Sequence, residues 1–368
     1  MKHQGSESRQ INPAMVTLAR ESRGLTQSEA AKLLVTTQTK LSRIEAGMAS
    51  VDGDMLARLA EAFEYPVRFF TLTDPILGPG TSEFFHRRRQ ALSAKKLRQI
   101  HASLNVTIMN LARLLTAVDL PEDNIPRMDP EEYKSAAGVA RAVRAHWSLP
   151  AGPIHNVVQV IEDAGGIVIP CDFGTPLMDA LSRYVPGMPH LFFVNRTMPA
   201  DRQRLTLAHE LGHAIMHHMP YPSMEDEAYQ FGAEFLMPAN EIRAQFDRVD
   251  IAKLADMKPY WKVSMAALLY RARDVGKLSP RMERFLWMQM GKHGFRTHEP
   301  ELGVVVEEPT TLKEIFAVHT DELGFGLEEL SSLMVLSQAE TRAKYNVEPT
   351  MRERKIRALI PRRSQQAM

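Results

Sequence analysis

The chain has 368 residues, with 45 Lys and Arg against 44 Asp and Glu and a hydrophobic share of 44%. That length exceeds what one hydrophobic core usually organises, so two or three domains are expected, and the near-zero net charge argues neither for nor against a nucleic-acid partner. The single cysteine, Cys171, excludes an intrachain disulfide and leaves any zinc chemistry to His and carboxylates; with a polar start, MKHQGSESRQ, and no apolar run long enough for a bilayer, the sequence reads as cytoplasmic with no membrane association.

Residues 13 to 72 read as five short helices: PAMVTLARESRG, TQSEAAKLL, TTQTKLSRIEAG, VDGDMLARLAEAF and a brief one near PVRFFT. Thr26 with Glu29 three residues on has the spacing of a capping box, and Gly24 and Gly47 punctuate helix ends. The stretch GLTQSEAAKLLVTTQTKLSRIEAG gives a short helix, a tight turn and a second helix with polar residues at its start, the layout of a helix-turn-helix. In the second helix Leu41 and Ile44 face inward, which leaves Thr37, Gln38, Thr39, Lys40, Ser42 and Arg43 outward. Together with Gln27 these are the expected contacts to a double-stranded DNA operator, because Gln pairs with adenine, Arg with guanine and Thr with phosphate or a thymine methyl.

The strings T-Q-x-E-x-A-x-x-L, T-T-Q-T-x-x-S-R-I-E-x-G and L-x-x-L-A-E-A-F resemble the XRE family of phage-repressor-like DNA-binding domains, over residues 14 to 70. Where that family usually has Gly in the turn this chain has Leu34, which implies strain there or a reshaped turn. Acids slightly outnumber bases from 12 to 80, so non-specific DNA affinity should be weak unless neighbouring basic residues contribute. Two runs could do so: Arg87, Arg88, Arg89, Lys95, Lys96 and Arg98, and the stretch from Arg352 to Arg363. Solvated helix faces are the competing explanation for both.

DPILGPGTS, residues 74 to 82, concentrates Pro and Gly and reads as a linker. After it, SAKKLRQIHASLNVTIMNLARLLTAV, EEYKSAAGVARAVRAHWS and IHNVVQVIEDAG carry helical periodicity, and GGIVIPC, ALSRYV and HLFFVN read as strands of a small sheet. A helix from about Ala200 to His218 follows, then a second, EDEAYQFGAEFLM, before Pro238. The remainder is mostly helical, with a break at HGFRTHEPELG. Its last pair, in FGLEELSSLMVLSQAETRAKY, again has a helix-turn-helix outline; covering the core is the favoured role, ahead of dimerisation or ligand sensing.

The first of these two helices contains TLAHELGHAIMHHM. Residues four apart on a helix share a face, so His209 and His213 can aim at one point while Glu210 projects beside them. That is the spacing of a zinc site with a general base. A catalytic zinc needs a third protein ligand. Glu225, Asp226 and Glu227 open the next helix on different sides of it; Glu225 shares the side of buried Ala228 and is preferred, with Glu227 as the fallback. His217, on the face of His213, is read as a satisfied histidine ahead of a partner to the site, and His218 should point away. Tyr184, Tyr221 and Tyr229 are all available as donors to an oxyanion.

The string AHELGHAIMHH followed by E-D-E-A-x-x-F-G-A-E-F-L-M-P resembles the ImmA/IrrE family of metallo-endopeptidases, and the likeness extends over roughly residues 135 to 245. It implies zinc (Zn2+) held by His209, His213 and Glu225, Glu210 as catalytic base, and cleavage of a repressor protein. Gly232 stands where most members have alanine, a small-for-small change that should matter little. The expected architecture is multidomain: an all-α five-helix helix-turn-helix domain at 12–73, a linker and helical connector at 74–130, an α+β zincin-like peptidase domain with a small sheet at 131–250, and a mostly helical C-terminal region at 251–368. The expected function is a DNA-binding transcriptional regulator, a homodimer on paired half-sites, whose zinc endopeptidase cuts a partner regulator. The alternative is a transcription factor whose peptidase-like domain is a non-cleaving sensor or dimerisation module.

Overall fold

The structure is a computed structural model that describes residues 11–78 and 92–346. Arg87, Arg88, Arg89, the run from Arg352 to Arg363 and the end of the expected linker lie outside the described residues.

The first helices are α1 (Pro13–Ser22), α2 (Gln27–Leu33), α3 (Gln38–Glu45) and α4 (Gly53–Phe63), followed by a 3-10 turn at Val67–Thr71. Their starts are set by side chains that satisfy the otherwise unpaired first amides. Thr26 Oγ1 accepts from the Glu29 amide at 3.2 Å while the Glu29 carboxylate accepts from the Thr26 amide at 2.7 Å, which completes the capping box. Thr37 accepts from the Lys40 amide and Asp52 from the Met55 amide in the same manner. Arg20, Glu45 and Gln27 tie the three helices together: the Arg20 guanidinium donates twice to Glu45, at 2.6 and 3.0 Å, and the Gln27 amide donates to Glu45 at 2.9 Å.

The turn between α2 and α3 differs from the expectation of strain at Leu34. Leu34 is fully buried with φ −78 and ψ 0, an ordinary right-handed conformation. The left-handed position is the next residue, Val35, at φ 50 and 82% exposed. The burial of Leu34 fixes the frame and passes the left-handed step to Val35.

A long helix, α5 (Ala94–Leu115), runs from the connector. Then come α6 (Ala136–His146) and α7 (Val157–Asp163), before a sheet of β1 (Ile167–Cys171), β2 (Ala180–Arg183) and β3 (Leu191–Asn195). Glu131 to Tyr133, expected within the helix, form turns instead; Lys134 is left-handed at φ 65 and Ser135 caps α6 after it. Cys171 ends β1 half-buried, with burial pushing its thiol up to about 12.

The sheet order is β1-β3-β2, with β1 parallel and β2 antiparallel to β3. Because side chains alternate across a strand, the sheet has two apolar faces. Ile167, Ile169, Leu181, Leu191 and Phe193 join the cluster that contains Leu41, Ile44 and Phe63 of the first helices and Leu104 and Leu111 of α5. Val168, Ala180, Phe192 and Val194 join the other cluster, with Leu207, Leu211, Phe231 and Phe235. Each fully buried side chain of this size contributes roughly 1.5–3 kcal/mol relative to exposure.

Past the sheet lie α8 (Ala200–Met216), α9 (Met224–Leu236), α10 (Ala239–Ile242), α11 (Ile251–Trp261), α12 (Met265–Asp274) and α13 (Pro280–Lys292). The chain ends its described part with α14 (Thr311–Ala317), a π-turn, α15 (Leu327–Met334) and α16 (Gln338–Tyr345). Helices α11 to α13 extend the cluster on the α8 side, through Leu254, Trp261, Leu268 and Leu286. In contrast, α14 and α15 send Ile315, Phe316, Leu330 and Met334 into the cluster of the first helices, and Arg23 after α1 pairs with Glu340 of α16 at 2.7 Å. Among the described residues no helix is long and apolar enough to cross a membrane.

Candidate metal centre

Helix α8 carries His209, Glu210 and His213, all three buried. Helix α9 crosses it closely because glycines occupy the crossing. A Cβ on Gly212 would meet the Phe231 ring at 3.0 Å, and one on Gly232 would meet the backbone nitrogen of His209 at 3.2 Å. An alanine at Gly232 would thus need α8 and α9 to give by a few tenths of an ångström at His209, a close contact that the small-for-small expectation did not anticipate.

This crossing delivers the N-terminal turn of α9. Glu225 Oε1 lies 3.3 Å from His213 Nε2, Glu225 Oε2 lies 3.6 Å from His209 Nε2, and the two Nε2 atoms are 3.1 Å apart. Among the described residues these three form a group able to hold a metal, each with one ligand atom within 4.8 Å of the others. Ligands ~2.0–2.1 Å from a tetrahedral zinc stand ~3.3 Å from one another. The observed edges therefore fit a zinc-sized cation. The chemistry fits too, because Oε1 of Glu225 is buried and accepts no hydrogen bond. Burial pushes His213 down to about 3, so its imidazole is neutral and can offer a lone pair. Burial would raise the Glu225 carboxyl, but the two imidazoles of His209 and His213 beside it outweigh that and hold the group below the usual carboxylate range.

Glu227, the fallback ligand, lies elsewhere. Its Oε2 accepts from Tyr221 at 2.6 Å and faces His217 Nε2 at 3.3 Å, while Oε1 accepts from Ser223. His217 is buried, and its Nδ1 is 2.8 Å from Nδ1 of His213. The sequence reading that treated His217 as a bystander is thereby corrected: the end of α8 turns its ring onto the site. His218 is exposed but lines the same cavity of about 480 Å³ as His213 and His217, so it does not simply point away.

Glu210 accepts from Ser182 Oγ at 2.9 Å. Ser182 was not singled out from sequence. Strand alternation accounts for it: Ser182 pairs with Phe192 in register and shares the face turned to α8. A serine among apolar strand residues, ALSRYV, was the available signal. Of the three tyrosines, Tyr221 has its hydroxyl committed to Glu227, and the Tyr229 ring lies 4.5 Å from that of His209. Tyr184 lines the cavity, half exposed, with the Arg127 guanidinium over its ring.

The expected DNA-reading residues are held apart from this centre, on α3 and its approach. Thr37, Gln38, Thr39, Lys40 and Arg43 are exposed, and Ser42 is half-buried. Thr37 already caps α3, and Gln38 accepts from Ser28 at 2.9 Å. Gln27 is turned into the helix junction by its bond to Glu45. Of the basic run, Lys95 pairs with Glu29 at 2.8 Å and Arg98 approaches Glu21 at 3.7 Å, so the described part folds back onto acids of the first helices.

Compared with known families, residues 17–70 match the helix-turn-helix family, and residues 163–273 match a peptidase family described as the IrrE N-terminal-like domain. No curated protein matches the chain. The chain thus combines a helix-turn-helix DNA-binding domain with a peptidase-family domain, followed by a helical C-terminal region.

Proposed function

We propose, starting from a chain in which a helix-turn-helix domain precedes a peptidase-family domain, that the protein is a transcriptional regulator whose second domain is a zinc-dependent endopeptidase acting on a partner regulatory protein, a repressor. The convergence of His209, His213 and Glu225 is the observation that carries this. These three would hold the metal, and Glu210 is the general base. When bound, zinc supplies Lewis acidity toward a carbonyl oxygen and brings the pKa of a water toward ~7.

The chain's own groups do the rest. Glu210, buried on α8 beside the ligands, takes a proton in the attack on an amide and returns it to the leaving nitrogen. Ser182 donates to Glu210 and holds the carboxylate in place. The cavity over His213 admits the substrate chain between β2 and the end of α8, with Tyr184 at its rim. Thr37, Gln38, Thr39, Lys40, Ser42 and Arg43 read the operator and Gln27 orients their helix; dimerisation on paired half-sites and action in the cytoplasm complete the proposal.

The test is Glu210→Gln in the full chain. Zinc content and operator binding should persist while cleavage of the partner falls by at least ~10²-fold, the scale of losing a general base. If the regulatory phenotype survives unchanged, the domain is a non-cleaving sensor instead.

A further inference from the structure

Behind the three proposed ligands a second line of polar groups runs outward: His213, His217, Glu227, and then Tyr221 and Ser223. We propose that His217 is a positioning residue which, backed by Glu227, holds the proton of His213 on Nδ1 and so keeps Nε2 of His213 as a lone pair facing the metal. The inference rests on the zinc reading above and adds residues to it.

Proton counting along the line leaves one arrangement. An ionised carboxylate only accepts hydrogen bonds. Glu227 receives Tyr221 and Ser223 hydroxyls, at 2.6 and 2.9 Å, and faces Nε2 of His217 at 3.3 Å. That nitrogen therefore carries the hydrogen. A neutral imidazole has one N–H, so Nδ1 of His217 is an acceptor. Its neighbour at 2.8 Å is Nδ1 of His213, which must then be the donor. The remaining nitrogen of His213, Nε2, is left with its lone pair, and it is the atom that meets His209 and Glu225. The opposite tautomer would place a proton on Nε2, where it would compete with the cation.

Metal-bound imidazoles commonly donate their other N–H to a carboxylate or carbonyl. Here a second histidine is interposed. The carboxylate then acts from 10 residues along the chain from His217, across the α8–α9 junction, and ties the orientation of a ligand on α8 to α9 a second time. Glu225 makes the first tie. Both carboxylates come from the same turn, two residues apart; Glu225 faces His209 and His213, and Glu227 faces His217.

Zinc affinity, read in the full chain by competition with a chromophoric chelator, and the visible spectrum of the cobalt-substituted protein test the proposal. His217→Leu should weaken zinc binding ~10–100-fold and alter the cobalt bands. His217→Gln should restore most of the affinity, because its amide oxygen can accept from Nδ1 of His213 while its NH2 donates to Glu227. Unchanged zinc affinity in His217→Leu, or a glutamine variant as weak as the leucine one, overturns the proposal. Should His217→Leu fail to fold, Glu227→Gln decides: weaker but retained zinc binding supports it, and unchanged binding overturns it. Glu225→Ala serves as the control. A wild-type chain without zinc affinity, or a Glu225→Ala variant that binds as tightly, removes the metal centre altogether; weak Glu225→Ala beside unaffected His217→Leu removes only the positioning role.

Discussion

Two glycines set the distance on which the candidate centre depends. Gly212→Ala would press a methyl against Phe231, which is fully buried and cannot swing outward. Overpacking costs ~1–3 kcal/mol, while alanine returns up to ~1 kcal/mol of helix propensity. Net stability should therefore fall by up to ~2 kcal/mol, and zinc affinity should fall because α9, and Glu225 with it, is displaced. Equal zinc affinity in chelator competition would show that the spacing is not critical. Tyr65 gives a different single-residue effect. It is buried, bonded to Ser22 at 3.0 Å, and burial raises its hydroxyl to about 12. An unfolded tyrosine ionises near ~10, so the stability held by Tyr65 is complete below that pH and is lost as pH climbs toward 12, on the order of 2 kcal/mol in all. Tyr65→Phe, costing about 1 kcal/mol at neutral pH, should flatten the alkaline limb of a stability-against-pH curve; an unchanged limb would assign it to other groups. At this scale the sequence was readable where a local pattern carried the information. His209, Glu210 and His213 follow from helical spacing, and Glu225 from its phase against Ala228. Ser182 and the facing of His217 were not readable, since each depends on a contact between elements that spacing along one helix does not encode.

Among the elements, the turn between α2 and α3 separates two positions that sequence comparison had merged. A β-branched residue in the left-handed region costs roughly 1–2 kcal/mol, and glycine gives back ~0.5–1 kcal/mol through its unfolded-state freedom. Val35→Gly should consequently stabilise the chain by ~0.5–1 kcal/mol. Leu34→Gly should lose at least ~3 kcal/mol, because that side chain is fully buried. Urea unfolding of the two variants orders them; a milder Leu34→Gly would place the left-handed step one residue earlier. The same turn recurs near the end of the described chain. Val335 is left-handed at φ 56 between α15 and α16, and Ser337 caps α16 as Thr37 caps α3. The likeness is partial, because α16 turns Glu340 to Arg23 and buries Thr341. Most helices and the three strands were legible from periodicity and the capping box at Thr26, but the left-handed steps at Val35 and Val335 and the late start of α6 were not. The partner of each element was not, for that depends on residues hundreds of positions apart.

For the whole molecule, the sheet is the common wall of two cores. One face joins the cluster that also holds the first helices, α5 and α14, the other the cluster of α8 and α9. A linker between independent domains would let them melt separately; a shared wall couples them. Calorimetry of the full chain should show one cooperative transition, and Leu181→Ala, which removes a fully buried side chain from the wall, should lower it as a unit by ~2–5 kcal/mol in stability. Two resolved transitions would separate the halves. The alternation that makes the wall was hidden in sequence because strands buried on both sides are continuously apolar, as LFFVN is.

The contribution of α15 to the core of the first helices also bears on how the protein is made. Synthesis proceeds from the N-terminus and domains generally fold as they emerge, yet Leu330 and Met334 complete a cluster begun by Met15 and Leu18. During translation the first helices and α5 therefore leave the ribosome well before α15, so this part of the cluster is completed only when most of the described chain has been made. The core that holds the first helices is thus finished by residues from the far end of the described chain, so it reaches its final packing late in synthesis.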